Sequence, residues 1–257
     1  MNSKLKELGL VEQNPFLGDL GPDREIIQKC IHCGFCTTSC PTYSLLGNEM
    51  DSPRGRIYLI KMVKDGEISI NNTVIKHLDR CLDCRACETA CPSGVEYSSL
   101  IESAREGLEK VRNRSLVARL FRRFLFRWLL PNRLFLQFFC ILTWVYQNTF
   151  LRRLVKKLSL LPKKIDDLEP MMPEIPAIST MISQPTEKEE NKNAKYKVAF
   201  FSGCIQSVLF NEVNLAAARV LRANGVDVVF PKSQTCCGAL QAHAGDRETA
   251  RILAKEN

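Results

Sequence analysis

The chain has 257 residues, 45% of them hydrophobic and 25% charged, with a formal net charge of +8. That length is enough for two domains, and the aliphatic and aromatic content is ordinary for a soluble protein. The positive charge is local: residues 110–165 hold 14 Lys or Arg and no acidic residue, leaving 22 of the 36 basic side chains against all 28 acidic ones elsewhere, which marks a docking feature and excludes a global nucleic-acid signature.

In chain order, residues 1–29 read as a short lead-in. Its start, Met1-Asn-Ser-Lys-Leu-Lys-Glu7, has no apolar signal core, so secretion through a cleaved signal is not expected. Pro22 and Asp23 can open a turn of helix that ends at the first of two matching cysteine runs. That run is Cys30-Ile-His-Cys33-Gly-Phe-Cys36-Thr-Thr-Ser-Cys40-Pro41, and the second is Cys81-Leu-Asp-Cys84-Arg-Ala-Cys87-Glu-Thr-Ala-Cys91-Pro92. Both have the C-x2-C-x2-C-x3-C-P spacing of bacterial-type two-cluster iron–sulfur proteins. Three thiolates at that spacing wrap three corners of a cubane, and the fourth, too far along to close the same cube, reaches the other. The spacing therefore predicts one [4Fe–4S] cluster on Cys30, Cys33, Cys36 and Cys91 and a second on Cys81, Cys84, Cys87 and Cys40, which points to electron transfer. Disulfides need an oxidising compartment, and structural zinc takes cysteines as two pairs; neither suits these runs. Free thiols and clusters point to a reducing cytosol. His32, inside the first run, reads as a surface residue or one that touches the cluster only through its ligands, because four thiolates already complete each cube.

Between the runs, Asp51-Ser-Pro-Arg-Gly-Arg-Ile-Tyr58 opens a helix through Val63, with Ser52 as N-cap and Pro53 at the first helical position. Lys64-Asp-Gly66 ends it. A short helix is predicted over 72–78 and a longer one over 97–112. Residues 20–112 thus read as an α-helical ferredoxin domain.

Residues 113–161 form a basic segment. Arg119, Arg122, Arg123 and Arg127 recur at spacings of three and four, the pattern of an amphipathic helix that Pro131 breaks. Leu134 to Leu151 then runs for 18 residues without a charge, at the lower edge of spanning length, although Gln137, Thr143, Gln147, Asn148 and Thr149 make it a poor span. The first reading is helices packed on this chain or on a partner. Peripheral membrane contact through 115–161 ranks second, a true span third. Nucleic-acid binding is not expected, since the Phe and Leu content suits burial better than base stacking. Cys140 reads as a lone buried thiol. Residues 162–195, rich in Pro and charge, read as a linker. Beyond it, strand 197–201, helix 210–224 and strand 226–230 form a β-α-β unit, which implies a parallel, Rossmann-like sheet. Cys236-Cys-Gly238 and a helix from about Gly245 follow. The expected fold class is mostly α: an α-helical ferredoxin domain, amphipathic helices, then an incomplete α/β domain over 196–257.

Cys204, followed after 31 residues by Cys236-Cys-Gly238, resembles the first half of a cysteine-rich CCG domain. With the upstream cysteine runs and the Asp51-Ser-Pro-Arg-Gly-Arg-Ile-Tyr58 segment, the chain resembles the iron–sulfur subunits of glycolate oxidases. The CCG pattern continues further in that family, so the ending at Lys255-Glu-Asn257 is expected to be a truncation. The resemblance implies an electron-transfer subunit that takes electrons from a partner flavoprotein oxidising glycolate to glyoxylate and passes them to a quinone or another acceptor. FAD belongs to the partner; this chain has no G-x-G-x-x-G and no catalytic residue is assigned to it. In relatives the CCG site holds a cluster or zinc, and Cys204, Cys236 and Cys237 would supply part of that ligand set. The expected location is cytoplasmic, with peripheral contact on the inner membrane as a second reading. Two alternatives stand beside this one: the corresponding subunit of a lactate or anaerobic glycerol-3-phosphate dehydrogenase, and a non-catalytic iron–sulfur sensor or adaptor.

Overall fold

In the computed structural model, Asp23, Asn48, Ser52, Asn71 and Asn132 cap the helical turns that follow them. The structure describes residues 14–18, 21–158, 162–182, 194–231 and 233–257. The chain divides into two units, residues 1–115 with 239–250, and residues 116–238 with 251–257.

In the first unit, α1 (Arg24–Gln28) opens at Asp23, whose carboxylate accepts the Glu25 amide at 2.7 Å. Helix α2 (Pro41–Leu46) begins at the proline of the first cysteine run and stops at Gly47, which is left-handed. A 3-10 turn at Glu49–Asp51 leads into α3 (Pro53–Lys64), where the Ser52 hydroxyl accepts the Gly55 amide at 3.0 Å. Asn71 caps α4 (Asn72–Asp79). The short α5 (Ala86–Thr89) lies inside the second run, and α6 (Tyr97–Val111) follows it. Apolar residues recur on one face of each long helix: Ile57, Ile60 and Val63 on α3, Val74 and Leu78 on α4, and Leu100, Ile101, Ala104 and Leu108 on α6. These faces pack together, and each buried aliphatic side chain contributes about 1.5–3 kcal/mol.

Phe16, fully buried, lies against α6 at Gly107, where a Cβ would come 2.9 Å from its ring. A Cβ at Gly55 would collide with the Glu49 carbonyl. The Ser-Pro-Arg-Gly segment therefore needs glycine because a backbone carbonyl occupies the place of a side chain.

In the second unit, α7 (Leu116–Phe124) continues into a π-helical turn at Leu125–Leu129. The expected helix to Leu130 is thus regular only over its first part. After Pro131, Asn132 caps α8 (Arg133–Asn148), and α9 (Leu151–Lys157) follows. Residues 162–182, read from sequence as linker, carry α10 (Lys163–Asp166), a 3-10 turn at Glu169–Met171 and α11 (Ile178–Ile182). Met181 is fully buried with Leu136, Cys140 and Val208, and Glu169 lies 2.7 Å from Arg152 and 2.6 Å from Lys156. Proline content there breaks the chain into short turns without preventing burial. Residues 183–193 of that stretch lie outside the described residues. Between residues 116 and 148 only Leu130, Leu136 and Cys140 are buried; Phe121, Trp128, Leu134 and Phe138 are exposed. No single described helix is long and apolar enough to cross a membrane; the pair Leu116–Leu129 and Arg133–Asn148 meets that test only jointly, bent by 110°.

Strand β1 (Tyr196–Ala199) pairs in parallel with β2 (Val226–Val229), Tyr196 opposite Val226 and Ala199 opposite Val229. The crossover carries α12 (Cys204–Leu209) and α13 (Asn211–Ala223), as parallel strands require. Val198, Phe200, Ala218, Leu221, Val228 and Phe230 form a small core between sheet and helix. The chain continues through α14 (Ala239–His243) to α15 (Arg247–Glu256). Helix α14 belongs to the first unit and packs on α6.

Candidate functional site

The two cysteine runs share left-handed backbone at matching positions, although only the second goes on into a helix, Ala86–Thr89. His32 and Gly34 have positive φ (56° and 89°), as do Asp83 and Arg85 (53° and 60°) at the matching positions. Left-handed residues are uncommon outside glycine, and here they curl each run.

A cavity of about 410 Å³, its open mouth included, is lined by Cys30, Cys33, Cys36 and Cys91, with Ile57, Val95 and Tyr97 among its apolar walls. A second, about 310 Å³, is lined by Cys40, Cys81, Cys84 and Cys87. Each run thus sends its last cysteine to the cavity of the other, and Cys87 also touches the first cavity. Four thiols on a partly apolar cavity are the donor set of a cubane cluster. Cys33 and Cys84 are exposed, while Cys40 and Cys87 are buried. Burial pushes the Cys30 and Cys36 thiols up from their ordinary value, and the Cys87 thiol up to about 12.

Behind the second cavity lies a buried charge network that the sequence did not reveal. Arg56 is 1% exposed and Asp51 fully buried. The Arg56 guanidinium donates to the His77 carbonyl at 2.7 Å and to Thr42 Oγ1 at 3.0 Å, and its Nη1 lies 3.9 Å from Cys40 Sγ. Asp51 receives His77 Nδ1 at 2.9 Å and Arg80 at 2.9 Å, with Arg56 at 3.5 Å. Burial alone would push the Asp51 carboxyl up; hydrogen bonds and charge from His77 and Arg80 outweigh it and hold the group below the usual carboxylate range. On the other side of the cavity, Tyr97 donates its hydroxyl to Cys81 Sγ at 3.5 Å, and the Asp83 amide donates to the same sulfur at 3.4 Å.

His243, from α14, sits with Nδ1 2.9 Å from Glu102 and 3.0 Å from Asp83. Arg105 donates to the carbonyls of Cys81 and Leu78 and to that of His243, tying the second cysteine loop to α6 and α14. His32 is exposed, with its ring edge-on to Tyr58.

In the second unit, Cys204 opens α12 and its Sγ is 3.3 Å from Cys236 Sγ, too far for a bond. The hydrogen bond to Cys236, then burial, pushes the Cys204 thiol far up. Cys236 is buried and Cys237 exposed. Asn257 clamps this loop: its side chain takes the Thr235 amide at 2.8 Å and donates to the Cys236 carbonyl at 3.0 Å. Three thiols fall short of the four donors of a closed zinc site or cubane. Cys140 is buried in the second unit's core, against which Cys204 also packs.

Three family models match the chain: a 4Fe-4S dicluster domain over residues 26–95, the linker region of the glycolate oxidase iron-sulfur subunit over 117–172, and a cysteine-rich CCG domain over 198–257. Among curated proteins, the chain is 39% identical to the "Probable glycolate oxidase iron-sulfur subunit" of Bacillus subtilis, over 91% of this chain and 54% of that protein. It is 37% identical to the glycolate oxidase iron-sulfur subunit of Escherichia coli, over 90% of this chain and 51% of that protein. Lactate utilization protein A 2 of Bacillus cereus is 37% identical over only 23% of this chain and 25% of its own length. The chain spans about half the length of the two glycolate oxidase relatives. No solved structure matches. With dicluster, linker and cysteine-rich segments matched in that order, this chain is similar over nine-tenths of its length to the glycolate oxidase iron-sulfur subunits of Bacillus subtilis and Escherichia coli.

Proposed function

We propose that this chain is the electron-transfer subunit of a glycolate-oxidising complex. Cys30, Cys33, Cys36 and Cys91 would hold one [4Fe–4S] cluster and Cys40, Cys81, Cys84 and Cys87 a second. The observation that carries this reading is the pair of cavities, each lined by cysteines drawn from both runs, with Cys87 touching both. Bound there, the clusters would supply one-electron carriers between a two-electron donor and an acceptor.

The chain's own residues prepare the two sites. Ile57, Val95 and Tyr97 wall the first cavity against water. Thr42, 3.2 Å from Cys40 Sγ, and the Asp83 amide on Cys81 orient two of the sulfurs of the second. Ile31, Phe35 and Leu82, inside the cysteine loops, are exposed apolar residues on which a partner can seat close to the clusters.

In this reading residues 20–112 are the dicluster domain, 113–161 a basic docking segment, 162–195 a connecting region and 196–257 part of the CCG domain. A partner flavoprotein with FAD oxidises glycolate to glyoxylate, and a quinone or another acceptor takes the electrons. This chain is not expected to oxidise glycolate by itself. The extent of similarity to glycolate oxidase subunits, against the short match to lactate utilization protein A 2, favours glycolate. The exposed apolar and basic residues of 115–161 support docking, with peripheral contact on the cytoplasmic face of the inner membrane as one form of it. Cys204, Cys236 and Cys237 would be part of a third site for a cluster or zinc; with three thiols, no step is assigned to it.

The test is iron and acid-labile sulfide on anaerobically purified protein, with EPR after dithionite, then mixing with the co-purified flavoprotein and glycolate. About eight iron and eight sulfide per chain, reduced on a catalytic timescale by glycolate and flavoprotein, are expected. Zinc in place of iron would refute the cluster assignment. Intact clusters that glycolate and the flavoprotein do not reduce would favour a sensor or adaptor.

A further inference from the structure

The two cysteine cavities differ in what surrounds their sulfurs. Beside the second, Arg56 is buried and points Nη1 at Cys40 Sγ from 3.9 Å, while the buried Tyr97 donates to Cys81 Sγ at 3.5 Å. The network behind Arg56 is not neutral: Asp51 is one carboxylate shared by two guanidinium groups, Arg56 at 3.5 Å and Arg80 at 2.9 Å. Other charges near this cavity come in opposed sets. Arg85 pairs with Glu88 at 3.0 Å, and Asp83 faces Arg105 at 3.8 Å and His243 at 3.0 Å, with Glu102 on the same histidine. Beside the first cavity the nearest guanidinium is that of Arg54, which is partly exposed and forked onto Glu49 at 2.6 and 3.2 Å. Glu49 offsets much of that charge and water screens the pair, and the donors on these sulfurs are backbone amides, that of His32 on Cys30 and that of Arg54 on Cys36.

Reduction adds one negative charge to a cluster and its thiolates. A buried cation and hydrogen-bond donors aimed at the sulfurs favour the reduced form, and low dielectric strengthens the effect. We infer that Arg56 and Tyr97 are positioning residues that raise the reduction potential of the group held by Cys40, Cys81, Cys84 and Cys87 above that of the group held by Cys30, Cys33, Cys36 and Cys91. The set containing Cys40 then takes the first electron. The inference rests on the cluster assignment proposed above. It also explains the Ser52-Pro-Arg-Gly-Arg56 segment, because Ser52, Pro53 and Gly55 start the helix and that start delivers Arg56 to the sulfur.

The experiment is an EPR-monitored redox titration of the full anaerobic protein, after iron and sulfide have been counted. Each cluster takes one electron from dithionite, with no bond made or broken. The wild type is expected to show two one-electron waves, and Cys33→Ser to keep the higher. Tyr97→Phe and Arg56→Gln should each lower the higher wave and leave the lower in place. For Arg56→Gln a shift of about tenfold in the reduction equilibrium is expected, about 59 mV for one electron. Arg56→Lys should restore most of it, which a role in packing alone would not do. If Arg56→Gln does not fold, Tyr97→Phe, which keeps the ring, carries the test. Full iron with an unmoved higher wave in Tyr97→Phe, or a Cys33→Ser protein that keeps the lower wave, would overturn the inference while leaving the cluster assignment intact. Absence of cubane iron in the wild type would defeat the assignment itself.

Discussion

Cys91 offers the sharpest test of how the two cysteine runs share their ligands. In sequence it ends the second run, four residues after Cys87; in the structure it lines the cavity of Cys30, Cys33 and Cys36. Cys91→Ser should therefore cost the same cluster as Cys33→Ser, about half of the roughly eight irons expected for two cubanes. The double variant Cys33→Ser/Cys91→Ser should lose no more than either single one. Cys84→Ser/Cys91→Ser should lose nearly all, because its two losses fall on different cavities. Residues acting in one unit are non-additive, and residues in separate units add. Iron, sulfide and spin quantitation after dithionite read the result directly. If Cys91→Ser matched Cys84→Ser, with Cys84→Ser/Cys91→Ser no worse than either, each run would close its own cluster and the crossed arrangement would be refuted. Loss of both clusters in every single variant would show that the domain folds only when both are filled, and would refute the independence assumed here.

Three further outcomes follow from named contacts. Gly55→Ala places a Cβ on the Glu49 carbonyl, where backbone must move, so it should destabilise the protein by about 1–3 kcal/mol in chemical denaturation; an unchanged midpoint would mean the turn before α3 is softer than its geometry implies. In the cluster-free chain, burial raises the thiols of Cys30, Cys36 and Cys87, the last to about 12. Ligands bind as thiolates, so assembly must release protons and should become more favourable as pH rises toward those values; reconstitution with iron and sulfide followed between about pH 7 and 9 checks the sign, and iodoacetamide should label exposed Cys33 and Cys84 before Cys87. Finally, if residues 115–161 contact lipid, the protein should co-sediment with anionic vesicles more than with neutral ones, and Phe121→Ser/Trp128→Ser should weaken binding even at low salt; equal recovery with and without vesicles would leave a protein partner as the occupant of that surface.

Local features were legible in the amino-acid order before any fold was known. Cysteine spacing carries the chemistry of a cubane because three thiolates must lie within one short loop. Pro53 after Ser52, or Asn71 before α4, marks a helix start because the orphan amides are satisfied within one turn. The helical frame and the parallel strand pair could be read for the same reason: periods of 3.6 and 2 residues are written in neighbouring side chains. Burial of Glu169 and Met181 within the largely exposed residues 162–182 was not legible, since proline and charge content says only that long helices are unfavourable, whereas Met181 is buried by Leu136, Cys140 and Val208 from elsewhere in the chain. The surroundings of the sulfurs emerge only once distant segments are packed together. Arg56 and Tyr97 each reach a cysteine 16 residues away, and His243 meets Glu102 across 141 residues. Such contacts leave no periodic trace, because a buried guanidinium or hydroxyl is tolerated only where the fold happens to supply its partners.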